Sequence, residues 1–311
     1  MLCAYQDVTH VDFAAAIAAF GMPGIVFWGY VAAAVVFVVG LVRIFKDELP
    51  QAHGLETIMP FGRVCFAIPL AVFGTEHFTD TTDIATMVPS WIPAHTFWVY
   101  LVGVALIAAA LSIAVKVQSR LAATLLGVMF ISFVVLMDIP AALAEPNNRF
   151  SWTLALRELA FASGGLALAG GQMSAKRAGG VPVLVTVARV SIGIAAVFYG
   201  VEHFLHPTFA PGVPLEQIIP EWIPGRVAWA YLGGAVLVAA GLCILANKKT
   251  RLAATFLGLM ILLLVLFVYL PLLVKGPADI VNVNYFFDTL MFGGAILLLA
   301  DASGERTTAS S

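Results

Sequence analysis

From Leu252 to Val274 the chain carries no charged side chain over 23 positions, and eight further stretches follow the same pattern with few interruptions. Roughly 18 to 20 apolar residues let a helix cross the hydrocarbon core of a bilayer, where each backbone N–H and C=O must be satisfied within the segment. Such a sequence has one architecture open to it, an all-α bundle of transmembrane helices. The runs predict about nine, at residues 24–45, 61–78, 95–116, 119–142, 152–172, 181–204, 226–246, 250–274 and 283–301. A soluble globular domain is excluded, because 61% of the residues are hydrophobic and only 11% are charged. The first run has no basic segment before it and no A-x-A site after it, so it reads as a retained anchor rather than a signal peptide. The preceding "VDFAAAIAAF" is too short to span and is expected at the interface.

Lysines and arginines favour cytoplasmic loops. With the N-terminus outside, twelve of them, including Arg43, Arg63, Lys116, Arg189 and Arg251, fall on the cytoplasmic side. Arg149, Arg157, Arg226 and Lys275 fall on the other. The expected topology is therefore N-terminus outside and C-terminus inside, in a bacterial cytoplasmic (inner) membrane.

The runs also repeat. "GTEHF" at 74–78 returns as "GVEHF" at 200–204, and Arg63 as Arg189, both at an offset of 126. After a five-residue insertion near "PGVPL" the offset becomes 131: "PSWIP" matches "PEWIP", "RLAATLLGVM" matches "RLAATFLGLM", and Pro140 matches Pro271. Ordered matches over more than a hundred residues divide the chain into an N-terminal segment (1–50), two four-helix repeats (51–175 and 176–302) and a polar tail (303–311). An even number of helices gives both repeats one orientation, related by an axis along the membrane normal. Pro93 and Pro224 are expected in the first turns of their helices, and Trp91, Trp98, Trp222 and Trp229 as interfacial anchors.

The terminal G-x-E-H-F, the P-x-W-I-P before an aromatic W-x-Y, and the R-L-A-A-T-x-L-G-x-M opening the third helix resemble the DoxX-like family of membrane proteins, over residues 61–172 and again over 187–301. That resemblance implies a four-helix bundle per copy and an association with membrane redox chemistry, including quinone-linked thiosulfate oxidation and thiol systems. It transfers no catalytic residue to this chain, and the tandem arrangement departs from the family's single unit.

Ionisable groups inside a bilayer must be paired, wet or functional. The spans hold Glu76, His77, Asp138, Arg157 and Glu158 in the first repeat, and Glu202, His203, Tyr269, Asn282, Asn284, Tyr285 and Asp288 in the second. All fall toward the outer half, while the inner half reads as nearly pure packing. Glu76, His77, Asp138, Arg157, Glu158, Glu202, His203, Tyr269 and Asp288 are therefore the candidate ligand-binding residues, the competing structural reading being a wet, salt-bridged ring of interfacial carboxylates. Asp138 aligns with Tyr269 and Arg157 with Asp288, so the repeats differ where chemistry is expected. Adjacent Glu and His on a helix project about 100° apart and cannot both enter one pocket. If His77 and His203 both face the axis between repeats, they are candidate metal ligands with a nearby carboxylate. Haem ligation has only their matching depth behind it.

Cys3, Cys65 and Cys243 form no C-x-x-C, which argues against an outer dithiol relay. No nucleotide fingerprint or nucleic-acid-binding basic cluster occurs. Three readings follow. One is a redox-linked protein binding a quinone or similar small apolar ligand near the outer face, as part of a quinone-linked oxidoreductase. The second is a non-enzymatic anchor or assembly partner of a periplasmic protein. The third is a small-solute transporter, disfavoured by the apolar inner half.

Overall fold

The structure, a computed structural model, describes residues 21–174, 182–208, 220 and 222–304. The stretch 11–20 expected at the interface, Cys3, the "PGVPL" insertion, Lys176, Arg177 and Arg306 lie outside the described residues. The described chain is all-α, with no strand among its elements.

Its helices are α1 (Gly24–Arg43), α2 (Met59–Thr79), the short α3 (Thr81–Met87), α4 (His95–Val115), α5 (Ser119–Phe133), α6 (Ile139–Ala144), α7 (Arg149–Ser174), α8 (Val183–Leu205), α9 (Arg226–Leu245), α10 (Thr250–Leu264), α11 (Leu270–Lys275) and α12 (Ile280–Ala302). A helix lies at each of the nine expected positions, within a few residues of its predicted limits. Among the described residues eight helical segments are long and apolar enough to cross a membrane, and α7 is a ninth long helix, carrying Arg157 and Glu158 in its middle. The protein is a multi-pass membrane protein, and large apolar side chains such as Val38, Phe97, Leu125, Phe256 and Phe267 are turned outward to meet lipid.

Three local features depart from the sequence reading. Helix α1 continues past Arg43 through a π-turn (Ile44–Glu48) and a 3-10 turn (Leu49–Gln51), which carries Glu48 back toward the bundle. The short α3, polar and only seven residues long, has no apolar run to announce it. Pro93 and Pro224 are not in the first turns of α4 and α9. A left-handed residue, Ala94 (φ 58°) or Gly225 (φ 64°), stands between each proline and its helix, and the Pro93 carbonyl accepts the Trp98 indole N–H at 3.1 Å. The chain reverses too sharply there for proline to continue into the helix. The left-handed pairs Lys116 and Asn247, and Gln118 and Lys249, are also 131 residues apart, so the turns recur along with the helices.

A Cβ in the left-handed region costs about 1–2 kcal/mol, which glycine avoids. Ala94→Gly is therefore expected to stabilise the protein by about 1 kcal/mol and Gly225→Ala to destabilise it similarly. Opposite shifts in thermal unfolding midpoint of the detergent-solubilised protein would show this.

Packing follows a closed circuit. Helix α2 packs on α4, α4 on α5, α5 on α7, α7 on α8, α8 on α9, α9 on α10, α10 on α12, and α12 back on α2, while α7 and α12 also meet each other. The first helix of each half therefore packs on the last helix of the other half. Small residues make these approaches close: Gly294 sits against the α2 backbone at Cys65 and Phe66, Gly165 against the Ala123 carbonyl of α5, and Gly74 and Gly200 against the carbonyls of Gly103 and Gly234. Helix α12 is the centre of the assembly, with 83% of its apolar window buried against 22% for the peripheral α1.

Candidate functional site

Helices α7 and α12 meet in register. Arg157 pairs with Asp288, Gly164 lies against Ala295, and Gly171 lies against Ala302. Each pair is 131 residues apart and successive pairs are separated by seven residues, the spacing of two parallel helices supercoiled about each other. Positions 131 residues apart in the sequence thus touch on these two helices. Two arginines or two aspartates facing each other there would repel. Opposite charges at 157 and 288 turn the contact into an ion pair, with Arg157 Nη1 donating to Asp288 Oδ2 at 2.9 Å. Arg157 Nη2 also donates to Glu158 Oε1 at 3.1 Å, and the guanidinium carbon lies 5.9 Å from the Phe161 ring centre. Both residues sit eight positions into their helices, roughly 12 Å below the helix starts at 1.5 Å per residue.

The flanks of this pair come from two π-turns, Val134–Asp138 and Val265–Tyr269, each followed by a proline in the next helical turn. Pro140 and Pro271 cannot donate to the preceding turn, so the ladder widens and its last residue is re-aimed toward the neighbouring helix. In the first half that residue is Asp138, within electrostatic reach of Glu158 and Arg157. In the second it is Tyr269, beside Thr289 and within reach of Asp288. One backbone arrangement thus presents two carboxyl groups on one side and two hydroxyls on the other. Asp138 Oδ2, Glu158 Oε2 and Tyr269 Oη are buried and make no hydrogen bond of normal geometry.

The two G-x-E-H-F stretches end α2 and α8 at the same level. Glu202 faces α7, where Arg149 Nη1 donates to it at 3.3 Å and His206 Nε2 lies 3.6 Å away. The residue matching Arg149 in the second half is Ile280, so Glu76, which faces α12, has no matching base. Its Oε1 is buried without a partner, and the side chain lies within electrostatic reach of Asp288, Asp80 and Arg157. Four carboxyl groups, Glu76, Asp138, Glu158 and Asp288, thereby gather around one guanidinium.

The histidines turn away from this seam, as the 100° step requires. His77 is accommodated by Gly103 of α4, and His203 by Gly234 of α9. Each Nδ1 lies against the carbonyl four residues earlier, Phe73 O at 2.7 Å and Tyr199 O at 2.6 Å. A carbonyl only accepts, so Nδ1 carries the proton and, in the neutral ring, Nε2 is left as an acceptor. His203 is 2% exposed and its Nε2 has no partner. The two imidazoles serve different helix pairs, and no group of three metal-binding side chains occurs among the described residues. Next to His203, Tyr199 donates its hydroxyl to the Thr153 carbonyl of α7 at 2.9 Å, tying the halves together.

The opposite end of the bundle holds a second ion cluster, an exception to the nearly pure packing expected there. Glu48, delivered by the π-turn after α1, pairs with Arg63 through both guanidinium nitrogens and with Lys116 at 2.7 Å. Arg189, the counterpart of Arg63, instead donates to the carbonyls of Ile244 and Leu245 at 2.7 Å, capping the end of α9. The sequence signal for this end was the Arg63 and Arg189 match; the missing acid lay just beyond the assigned end of the first span.

A surface depression of about 390 Å³ is lined by Ile223–Ala228 at the start of α9, and another of about 570 Å³ lies on the lipid-facing side of α1 at Val38–Lys46. The first borders the Tyr269 cluster, because Ile223 packs against Tyr269, Val268 and Ala230. Cys65 is partly buried and Cys243 exposed, both as free thiols.

Residues 66–163 match a domain of unknown function, DUF8561, a stretch that runs from α2 into α7 and takes in Glu76, His77, Asp138, Arg157 and Glu158. No curated protein and no solved structure matches the chain.

Proposed function

We propose that this chain is a DoxX-like protein of a bacterial cytoplasmic membrane, built from two copies of a four-helix unit, that binds a quinone or a similar small apolar ligand near the outer face. The N-terminus lies outside and the C-terminus inside, which puts Glu76, Asp138, Arg157, Glu158, Glu202, His203 and Asp288 in the outer half. The observation that carries the reading is the asymmetric cluster on the α7–α12 seam: one guanidinium among four carboxyl groups, with buried oxygens of Glu76, Asp138 and Glu158 lacking partners. A single arginine balances one carboxylate, so the others call for protons or a further cation. Carboxyls that exchange protons beside an apolar lipid phase suit a ligand whose reduction takes up two protons with two electrons. The π-turns support the same reading, since such turns often mark functional positions.

Transport fits less well. Toward the basic end the α7–α12 seam is closed by Gly164 on Ala295 and Gly171 on Ala302, leaving no room for a polar path along the axis. A non-enzymatic role as anchor for a periplasmic protein has no specific contact surface among the described residues in its favour.

Organic extraction of protein purified in mild detergent, followed by mass spectrometry, is expected to release about one quinone-type molecule per chain. Asp138→Asn combined with Glu158→Gln is expected to leave ligand content near normal while slowing quinone-dependent electron transfer in membrane vesicles by about tenfold or more, the scale of losing a positioned acid or base. Purified, folded protein free of quinone, with a variant that leaves electron transfer unchanged, would reject the proposal.

A further inference from the structure

Where α1 runs into its π-turn, four cations gather, Arg43, Lys46, Arg63 and Lys116, against two acids, Asp47 and Glu48. Both acids are already engaged. Arg43 Nη1 holds Asp47 Oδ2 at 3.1 Å, while Glu48 is turned inward onto Arg63 and Lys116. Lys46 is exposed and has no acidic partner among the described residues, so this end keeps two positive charges in excess.

Lys46 is also the polar end of an apolar trough. The depression of about 570 Å³ on the lipid-facing side of α1 is lined by Val38, Leu41, Val42 and Phe45 and, at its end, by Lys46. These positions follow the i, i+3, i+4, i+7, i+8 spacing of one helical face. Val38, Val42 and Phe45 are each more than half exposed, so no described helix covers the stripe. From Val38 to Lys46 it spans about 12 Å at 1.5 Å per residue, most of the roughly 15 Å hydrocarbon depth of one leaflet. That is the course of an acyl chain running from head-group level toward the midplane, with the ammonium at the head-group end. A lysine that merely snorkels ends in water and leaves its neighbours to meet any lipid alike. Here the trough and the unbalanced charge meet at one residue.

We infer that α1 and its π-turn bind one anionic phospholipid, with an acyl chain along Val38–Phe45 and the phosphate accepting a hydrogen bond from Lys46 Nζ. Glu48, locked onto Arg63 and Lys116, fixes the turn from which Lys46 projects. A zwitterionic head group offers the same phosphate but brings its own ammonium into a region already in positive excess, so it binds less well. With the topology proposed above, the site lies in the cytoplasmic leaflet, where basic residues beside a membrane helix attract anionic lipid. The quinone reading is not needed for it.

The test is native mass spectrometry of the delipidated, detergent-purified full chain, titrated with dioleoyl phosphatidylglycerol or dioleoyl phosphatidylcholine. The first phosphatidylglycerol is expected to bind about fivefold tighter than phosphatidylcholine, the scale of one lysine acting on an anionic lipid. Lys46→Gln is expected to remove that preference, and Lys46→Arg to keep it within about twofold. Lys248→Gln, at an exposed cation on the turn after α9 and outside the trough, is expected to leave it unchanged. Both lysines are exposed, so the variants keep the fold. Equal binding of the two lipids by the unaltered protein, or the same loss from Lys46→Gln and Lys248→Gln, would mark a diffuse basic surface and overturn the inference. A mass of two chains with no bound lipid would give the trough to a second copy and overturn it as well. None of these results bears on the quinone reading.

Discussion

Replacing Arg157 with methionine is expected to destabilise the protein by about 3–5 kcal/mol, since it strands buried carboxylates against a low-dielectric interior. Asp288 is 4% exposed and accepts a hydrogen bond from Arg157, while Glu158 shares the same guanidinium. Adding Asp288→Asn and Glu158→Gln to Arg157→Met is expected to recover more than half of the loss, because neutral amides no longer need the cation. Thermal unfolding in detergent, followed by intrinsic tryptophan fluorescence, measures both variants. A single substitution that shifts stability by less than about 1 kcal/mol would place the ion pair in a wet surface setting and revive the structural reading of the carboxylates.

Gly294→Leu is expected to abolish the folded state. A Cβ at this position would lie 2.5 Å from the Phe66 amide nitrogen and 2.9 Å from both the Cys65 carbonyl carbon and the Gly62 carbonyl oxygen. Those neighbours are backbone, not the ends of flexible side chains, so α2 and α12 must separate to admit even a methyl group. Overpacking within a core costs about 1–3 kcal/mol where side chains can shift, and the loss of a backbone-to-backbone contact exceeds that range. Gly294→Ala should therefore already lower the unfolding midpoint strongly, and Gly294→Leu should remove the monodisperse peak in size-exclusion chromatography. A matched Gly24→Ala change, at a position with nothing near, is expected to do neither.

The spans were legible because lipid leaves the backbone no alternative to helix. From Thr250 to Lys275 the apolar run alone marks where the helix must begin and end. The candidate residues were legible for the complementary reason: a charge such as Asp288 in an apolar run stands out. Offsets of 126 and 131 even identified Arg157 and Asp288 as counterparts. What alignment does not contain is that counterparts touch, since a repeat specifies a unit and leaves open how two units are joined. The partner of Glu202 was hidden likewise, because Arg149 was placed in a loop before the fourth helix and in fact begins α7. Glu48 escaped notice because a π-turn, with no apolar signature, carries it back over Arg63. Ala94 shows the same limit at single-residue scale: proline chemistry marked the turn, while the left-handed residue after it depends on the direction the chain must take.

The exchange of end helices between the halves bears on how the molecule is made. Helix α2 emerges from the ribosome early, yet the surface that Gly62 and Phe66 form is completed by α12, the last helix described. Until α12 is made, that face of α2 lacks its partner helix. The first half cannot close on itself as a finished module, and a chain that stops after α11 keeps an open seam. Completion of the α2 seam thus waits for α12 to be made, so a truncation that removes α12 is expected to be as damaging as one that removes α2.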